Sequence, residues 1–163
     1  MDVFEDAFFV SIVSEFLSSE RYKEMTRFIA HGDWSVYDHS LHVASLCYEM
    51  GKKKGLSLDY RSLIRAAMLH DYYGYDWHKP HPRLHGFRHP SRALRNAEKD
   101  FSVSPLEAKL IKGHMFPLTF WHLPFLKEMR LLSRCDRLSA MYEHRYRKEE
   151  NGRRSLFEYA FGK

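Results

Sequence analysis

Apolar residues recur every three or four positions along most of the chain, and alternating strand patterns are absent. Phe4, Phe8, Ile12 and Phe16 share one face of a helix predicted over about 3–18, and a second helix is expected over about 20–30. "GDW" at 32–34 breaks the chain, and a helix over about 36–54 stops at Gly55. Another helix covers about 59–71. Residues 74–88, rich in Gly, Pro and His, read as a loop, and Pro90 suits the first turn of a helix reaching about Phe101. "SPLE" at 104–107 is a capping box, Ser104 with Glu107, with Pro105 at the first helical position. That helix runs to about Met115, "FPLTFWHLP" is a loop, and a long helix over about 124–149 precedes a short one over about 154–161. The expected architecture is an all-α, single-domain helical bundle over residues 1–163.

Composition narrows the class without naming a function. The chain has 163 residues, 44% hydrophobic and 29% charged, as in an ordinary globular protein. There is no apolar run of membrane-spanning length. The opening "MDVFEDAFFVSIV" is acidic and lacks a basic segment and a small-residue cleavage site, which argues against a signal peptide. Two cysteines, Cys47 and Cys135, are too few for a disulfide framework and sit in helical patterns, as expected of buried thiols in a reducing cytoplasm. The net charge of +5 suits a small anionic substrate or weak nucleic-acid contact, the second the less expected, and is equally explained by a solvated surface.

Candidate chemistry lies in the histidines. Five of the 11 fall between residues 68 and 90. His39, Val43, Leu46 and Met50 share a helix face, whereas His42 is rotated away and reads as a surface histidine. Ile64, Ala67 and Asp71 align with His70 beside them; Leu110, Ile111 and His114 align; Met129, Leu132 and Asp136 align. A carboxylate on a core-facing stripe is costly unless paired or metal-bound. Singly, each residue has a structural reading: a hydrogen-bonded core histidine, an ion pair of Asp136 with Arg134 or Arg137, or a histidine near helix-end carbonyls. Together His39, His70, Asp71, His89, His114 and Asp136 supply four imidazoles and two carboxylates, enough for two divalent ions with Asp71 bridging. The mixed nitrogen and oxygen set suits Mn, Fe, Co, Ni or Zn.

The order and spacing of these residues resemble those of the HD-domain superfamily of metal-dependent phosphohydrolases. "HSLHVA" at 39–44, "AAMLHD" at 66–71, "HPSRAL" at 89–94, "LIKGHM" at 110–115 and "CDRLSA" at 135–140 are similar to its successive ligand segments. The resemblance implies a helical bundle with a divalent metal centre and hydrolysis of a phosphomonoester, phosphodiester or nucleotide by a metal-bound hydroxide. It assigns His39, His70, Asp71 and Asp136 to one ion and Asp71, His89 and His114 to a second, with Asp71 and His70 as the catalytic pair. Three departures stand out. The common "HDIGK" is here "HDYYGYD", the glutamate of nucleotidase-like members falls at Gly74, and "HGFRHP" has no close parallel.

A phosphate needs cationic partners, and Lys79, Arg83, His85 and Arg88 lie in the segment after His70–Asp71 as candidate substrate-binding groups. Trp77, Phe87, Phe116, Phe120 and Trp121 serve either loop packing or stacking on a base. The partner expected is a small anionic molecule, a nucleotide among them. Two other classes fit the same ligand pattern: a di-iron oxygenase of the same superfamily, and a non-catalytic, metal-stabilised module that binds a nucleotide or a protein.

Overall fold

The computed structural model describes residues 3–75, 85–119 and 125–146, with the backbone alone at 85 and 86. Among them are seven α-helices and one two-stranded antiparallel sheet. The architecture is all-α, as the helical spacing requires. None of the described helices is long and apolar enough to cross a membrane.

Helix α1 (Ala7–Leu17) starts where the Asp6 carboxylate accepts from the Phe8 and Phe9 amides, and it buries Phe9, Ile12, Val13 and Phe16. Residues 20–30 depart from the expected single helix. Ser19 caps a four-residue α2 (Glu20–Lys23), a 3-10 turn follows over Glu24–Arg27, and the chain then enters strand β1 (Ile29–His31). Strand β2 (Trp34–Ser35) pairs with it across the Gly32–Asp33 turn, in the register Ile29 with Ser35 and His31 with Trp34. A hairpin wins here because Gly32 takes a left-handed φ of 60° and the pairing buries Ala30 and Trp34.

Helices α3 (Val36–Lys53) and α4 (Tyr60–Leu69) form the centre of the bundle. A capping box of Ser35 and Asp38 opens α3, and Asp59 caps α4. Every residue from Ser62 to Leu69 is buried, so α4 is enclosed on all sides by α1, α3, α6 and α7. Helix α5 (His85–Asp100) begins earlier than expected, with Pro90 inside it. Proline there removes the bond to the Gly86 carbonyl, a loss tolerated close to a helix start. Helix α6 (Pro105–Gly113) has the expected capping box, Ser104 with Glu107. Helix α7 (Lys127–Arg145) begins three residues later than expected, and the short helix expected over 154–161 lies outside the described residues.

One buried cation ties three of these segments together. The Arg65 side chain on α4 donates from Nε to Glu107 Oε1 at 2.9 Å, from Nη2 to the Ser102 carbonyl at 2.6 Å, and from Nη1 to Glu15. Glu107 is buried too, and its second oxygen accepts from the Ser104 amide. Replacing Arg65 by Leu leaves that carboxylate buried with one partner lost, so the unfolding free energy is expected to fall by about 3–5 kcal/mol. Urea denaturation followed by circular dichroism measures the change.

Candidate metal centre

Two short helices end in the same way, and each end aims an imidazole at one point. His70 follows the last residue of α4, and its Nδ1–H donates to the Ala67 carbonyl three residues back at 2.7 Å. His114 follows α6, and its Nδ1–H donates to the Ile111 carbonyl at 2.7 Å. Carbonyls in a last helical turn lack intrahelical partners, so each ring satisfies one and is locked with Nε2 pointing away from its helix. Gly113 lets Met129 of α7 pack against the end of α6, next to His114 in sequence, since a Cβ there would collide with the Met129 side chain.

The Nε2 atoms meet carboxylates from two other segments. Asp71 Oδ2 lies 3.6 Å from His70 Nε2 and 3.9 Å from His39 Nε2. Its other oxygen, Oδ1, lies 3.2 Å from His89 Nε2 and 3.7 Å from His114 Nε2. Asp136 Oδ1 of α7 is 3.2 Å from His39 Nε2 and 3.8 Å from His70 Nε2. His89 Nε2 and His114 Nε2 are 3.0 Å apart. Thus all six residues expected from the sequence converge, with Asp71 facing His39 and His70 through one oxygen and His89 and His114 through the other, and Asp136 meeting His39 and His70. Asp136 is not paired with Arg134 or Arg137 in the described ion pairs; Arg137 donates instead to the Phe116 carbonyl.

This donor set fits a cation. Among the described residues, His70 Nε2 and Asp71 Oδ1 are buried without an aligned hydrogen bond, Asp71 Oδ1 having only the ring nitrogens of His89 and His114 beside it, and this costs free energy unless something binds there. With its Nδ1 protonated toward Ile111, neutral His114 presents a lone pair to His89 Nε2, a contact met by the Nε2–H tautomer of His89 or by a cation shared between the two rings. Separations of 3.0–3.9 Å suit neighbouring ligands on an ion with bonds of about 2.0–2.2 Å.

The electrostatics agree with the geometry. Burial acts against charge on Asp71, but His70, His89 and His114 hold its carboxyl well below the usual range. Burial likewise opposes charge on Asp136, and His39 and His70 outweigh it. For His39 and His70 burial favours the neutral ring, yet the facing carboxylates raise both above an ordinary imidazole. His114 goes the other way: burial, with His70 and His89 beside it, pushes it down to about 3.

The family model for the HD domain matches residues 36–141. The chain belongs to the HD domain family. No curated protein and no solved structure matches it. HD domains bind divalent metals and are typically metal-dependent hydrolases. The residues that could hold an ion in this HD domain include His39, His70 and Asp136 as one group and His70, Asp71 and His114 as another.

Of the substrate-binding candidates, Lys79 and Arg83 and the His85 side chain lie outside the described residues, as do Trp77, Phe120 and Trp121. Arg88 is exposed on the first turns of α5, one residue before His89. At the positions where "HDIGK" has Ile and Gly, Tyr72 donates to Asp100 Oδ2 at 3.0 Å and Tyr73 is buried with its ring 5.8 Å from that of His89; Gly74 stands at the lysine position, and Tyr75 after it lies beneath the Arg92 guanidinium at 4.6 Å. Tyr73 thus walls the His89 side of the centre, with Tyr75 packed on it at 5.0 Å.

Sequence reasoning missed a second layer. His42 is buried, not on the surface, because Trp34 of the hairpin packs on its ring at 4.6 Å. His31 and Glu143 also approach His39 closely enough to form a further metal-competent group. The signal for Glu143 was its spacing, seven residues beyond Asp136 and so on the same helix face.

His89→Ala removes a donor from one side of Asp71 alone. Bound Mn or Co is expected to drop from about two ions per chain to about one, by elemental analysis of the reconstituted protein, with the helical circular dichroism unchanged.

Proposed function

We propose that the protein is a metal-dependent phosphoester hydrolase acting on a small phosphorylated or nucleotide substrate. The observation that carries this reading is the placement of Asp71, whose two oxygens face two different sets of imidazoles. That arrangement suits a pair of divalent ions, His39, His70, Asp71 and Asp136 holding one and Asp71, His89 and His114 the other. A bound pair of this kind supplies water activated at neutral pH and positive charge for a phosphate oxygen.

The chain's own groups do the rest. His70 and His114 are locked by main-chain carbonyls, so their donor atoms are set before any ligand arrives. Asp71 is kept ionised by the imidazoles around it, which keeps both oxygens available as acceptors at any pH near neutrality. Arg88, next to His89 in sequence and open to solvent, is a candidate to orient the outer oxygens of a phosphate, with Lys79, Arg83 and His85 as further candidates. The position of the nucleotidase-like glutamate is Gly74, which offers no side chain, so a proton donor for the leaving group has to come from elsewhere.

A panel of phosphomonoesters, phosphodiesters and nucleotides, assayed with Mn, Fe, Co, Ni and Zn after chelation, tests the reading. Turnover is expected only with added metal and is expected to be lost in Asp71→Asn. Arg88→Ala is expected to raise KM severalfold with kcat little changed, provided its contact is equal in ground and transition states. Metal-replete protein that cleaves no phosphoester but consumes oxygen after iron loading would replace this reading with oxygenase chemistry.

A further inference from the structure

Behind His39 lies a carboxylate that the hydrolase reading does not use. Glu143 is 1% exposed and engages both its oxygens with imidazoles. Oε2 accepts from His39 Nδ1–H at 2.8 Å and Oε1 accepts from His42 Nδ1–H at 3.2 Å. The opposite edge of the His39 ring, Nε2, faces Asp136 and Asp71. One ring therefore joins the centre to Glu143.

The position of Glu143 is fixed from several directions. A Cβ on Gly32 would come within 2.8 Å of the Glu143 carbonyl oxygen, so the hairpin turn rests on the α7 main chain at this residue. The His42 ring is packed by Trp34, whose Nε1–H donates to the Tyr146 carbonyl at 3.0 Å.

A comparison among the histidines shows what Glu143 supplies. His70 and His114 obtain their tautomer from free carbonyls in a last helical turn. His39 sits in the first half of the 18-residue α3, where the helix uses its own carbonyls in its hydrogen-bond ladder. No such carbonyl is available there, so a side chain has to fix the ring. Full burial of a carboxylate merely to pair with a core histidine brings no advantage over apolar packing.

We propose that Glu143 is the positioning residue of the metal centre, holding His39 as the Nδ1–H tautomer so that Nε2 presents its lone pair to the ion, with His42 anchoring the second oxygen of Glu143. This rests on the reading of His39 as a ligand. A carboxylate accepting the far N–H of a ligating imidazole fixes ring orientation and raises the basicity of the ligating nitrogen. His31, His39 and Glu143 also stand within ligand reach of one another, but an ion among them would strip His39 of its Nδ1 proton. The 2.8 Å separation is that of a charge-assisted N–H···O bond.

Cobalt(II) is the probe. The full chain and its Glu143→Gln, His42→Ala and His39→Ala variants are titrated in competition with a chromogenic chelator, with the cobalt d–d absorption recorded and the metal-free proteins checked by thermal melting. Glu143→Gln is expected to weaken the His39-containing position by about 10–100-fold and shift its absorption bands, while the other position keeps its affinity. His42→Ala is expected to act in the same direction by a smaller factor. Wild-type affinity and an unshifted spectrum in Glu143→Gln overturn the proposal. Should Glu143→Gln fail to fold, the His42→Ala protein decides, and an unchanged affinity and spectrum there overturn it. A different result, cobalt binding equally well to His39→Ala, removes His39 as a ligand and with it the reading on which the proposal stands.

Discussion

Asp71, Asp136 and Glu143 crowd around a single imidazole, His39, and the rest of the bundle is arranged to keep that crowding tolerable. Like charges this close inside a protein repel strongly, because little water screens them. The remedy is a shell of imidazoles: His39 and His42 on Glu143, His39 and His70 on Asp136, and His70, His89 and His114 around Asp71. Five helices have to bring these groups together. The apolar surface that encloses α3 and α4 supplies the driving force, and the polar groups decide which of many apolar packings is adopted.

Arg65 shows the same logic further back along α4. There one guanidinium answers Glu15, Glu107 and the Ser102 carbonyl, and the network sets how α1 and α6 sit on α4. Since α4 carries His70 and α6 carries His114, the arginine network fixes the supports from which two imidazoles project. Among the described residues, buried charge therefore works in two places, the candidate metal centre and the Arg65 network.

Much of this was legible in the sequence because helix ends and helix faces are local properties. The run Ile64, Ala67, Asp71 and the run Met129, Leu132, Asp136 place carboxylates on apolar stripes, and the capping box at Ser104 marks the start of α6 to the residue. What was hidden depends on contacts between distant segments. His42 looked exposed because nothing local says that Trp34 folds back over it. Glu143 lay in a charged run, "MYEHRYRKEE", where most side chains are solvated, and only its phase with Asp136 set it apart. The hairpin was missed because three residues of strand give no periodicity. Pro90 misled because proline is tolerated a few residues inside a helix as well as at its first position.

The paired helix ends at His70 and His114 carry a consequence for the order of events. An α-helix is partly negative at its C-terminal end, and α4 and α6 both turn that end toward the centre. Added to the charges of Asp71 and Asp136, this makes the pocket a poor host for any anion on its own. On the proposed hydrolase reading, a phosphate approaching first would meet repulsion, whereas a cation approaching first would be drawn in and reverse the sign of the field. The order expected on that reading is cation before anion, and the same field would oppose escape of the cation once the anion had left.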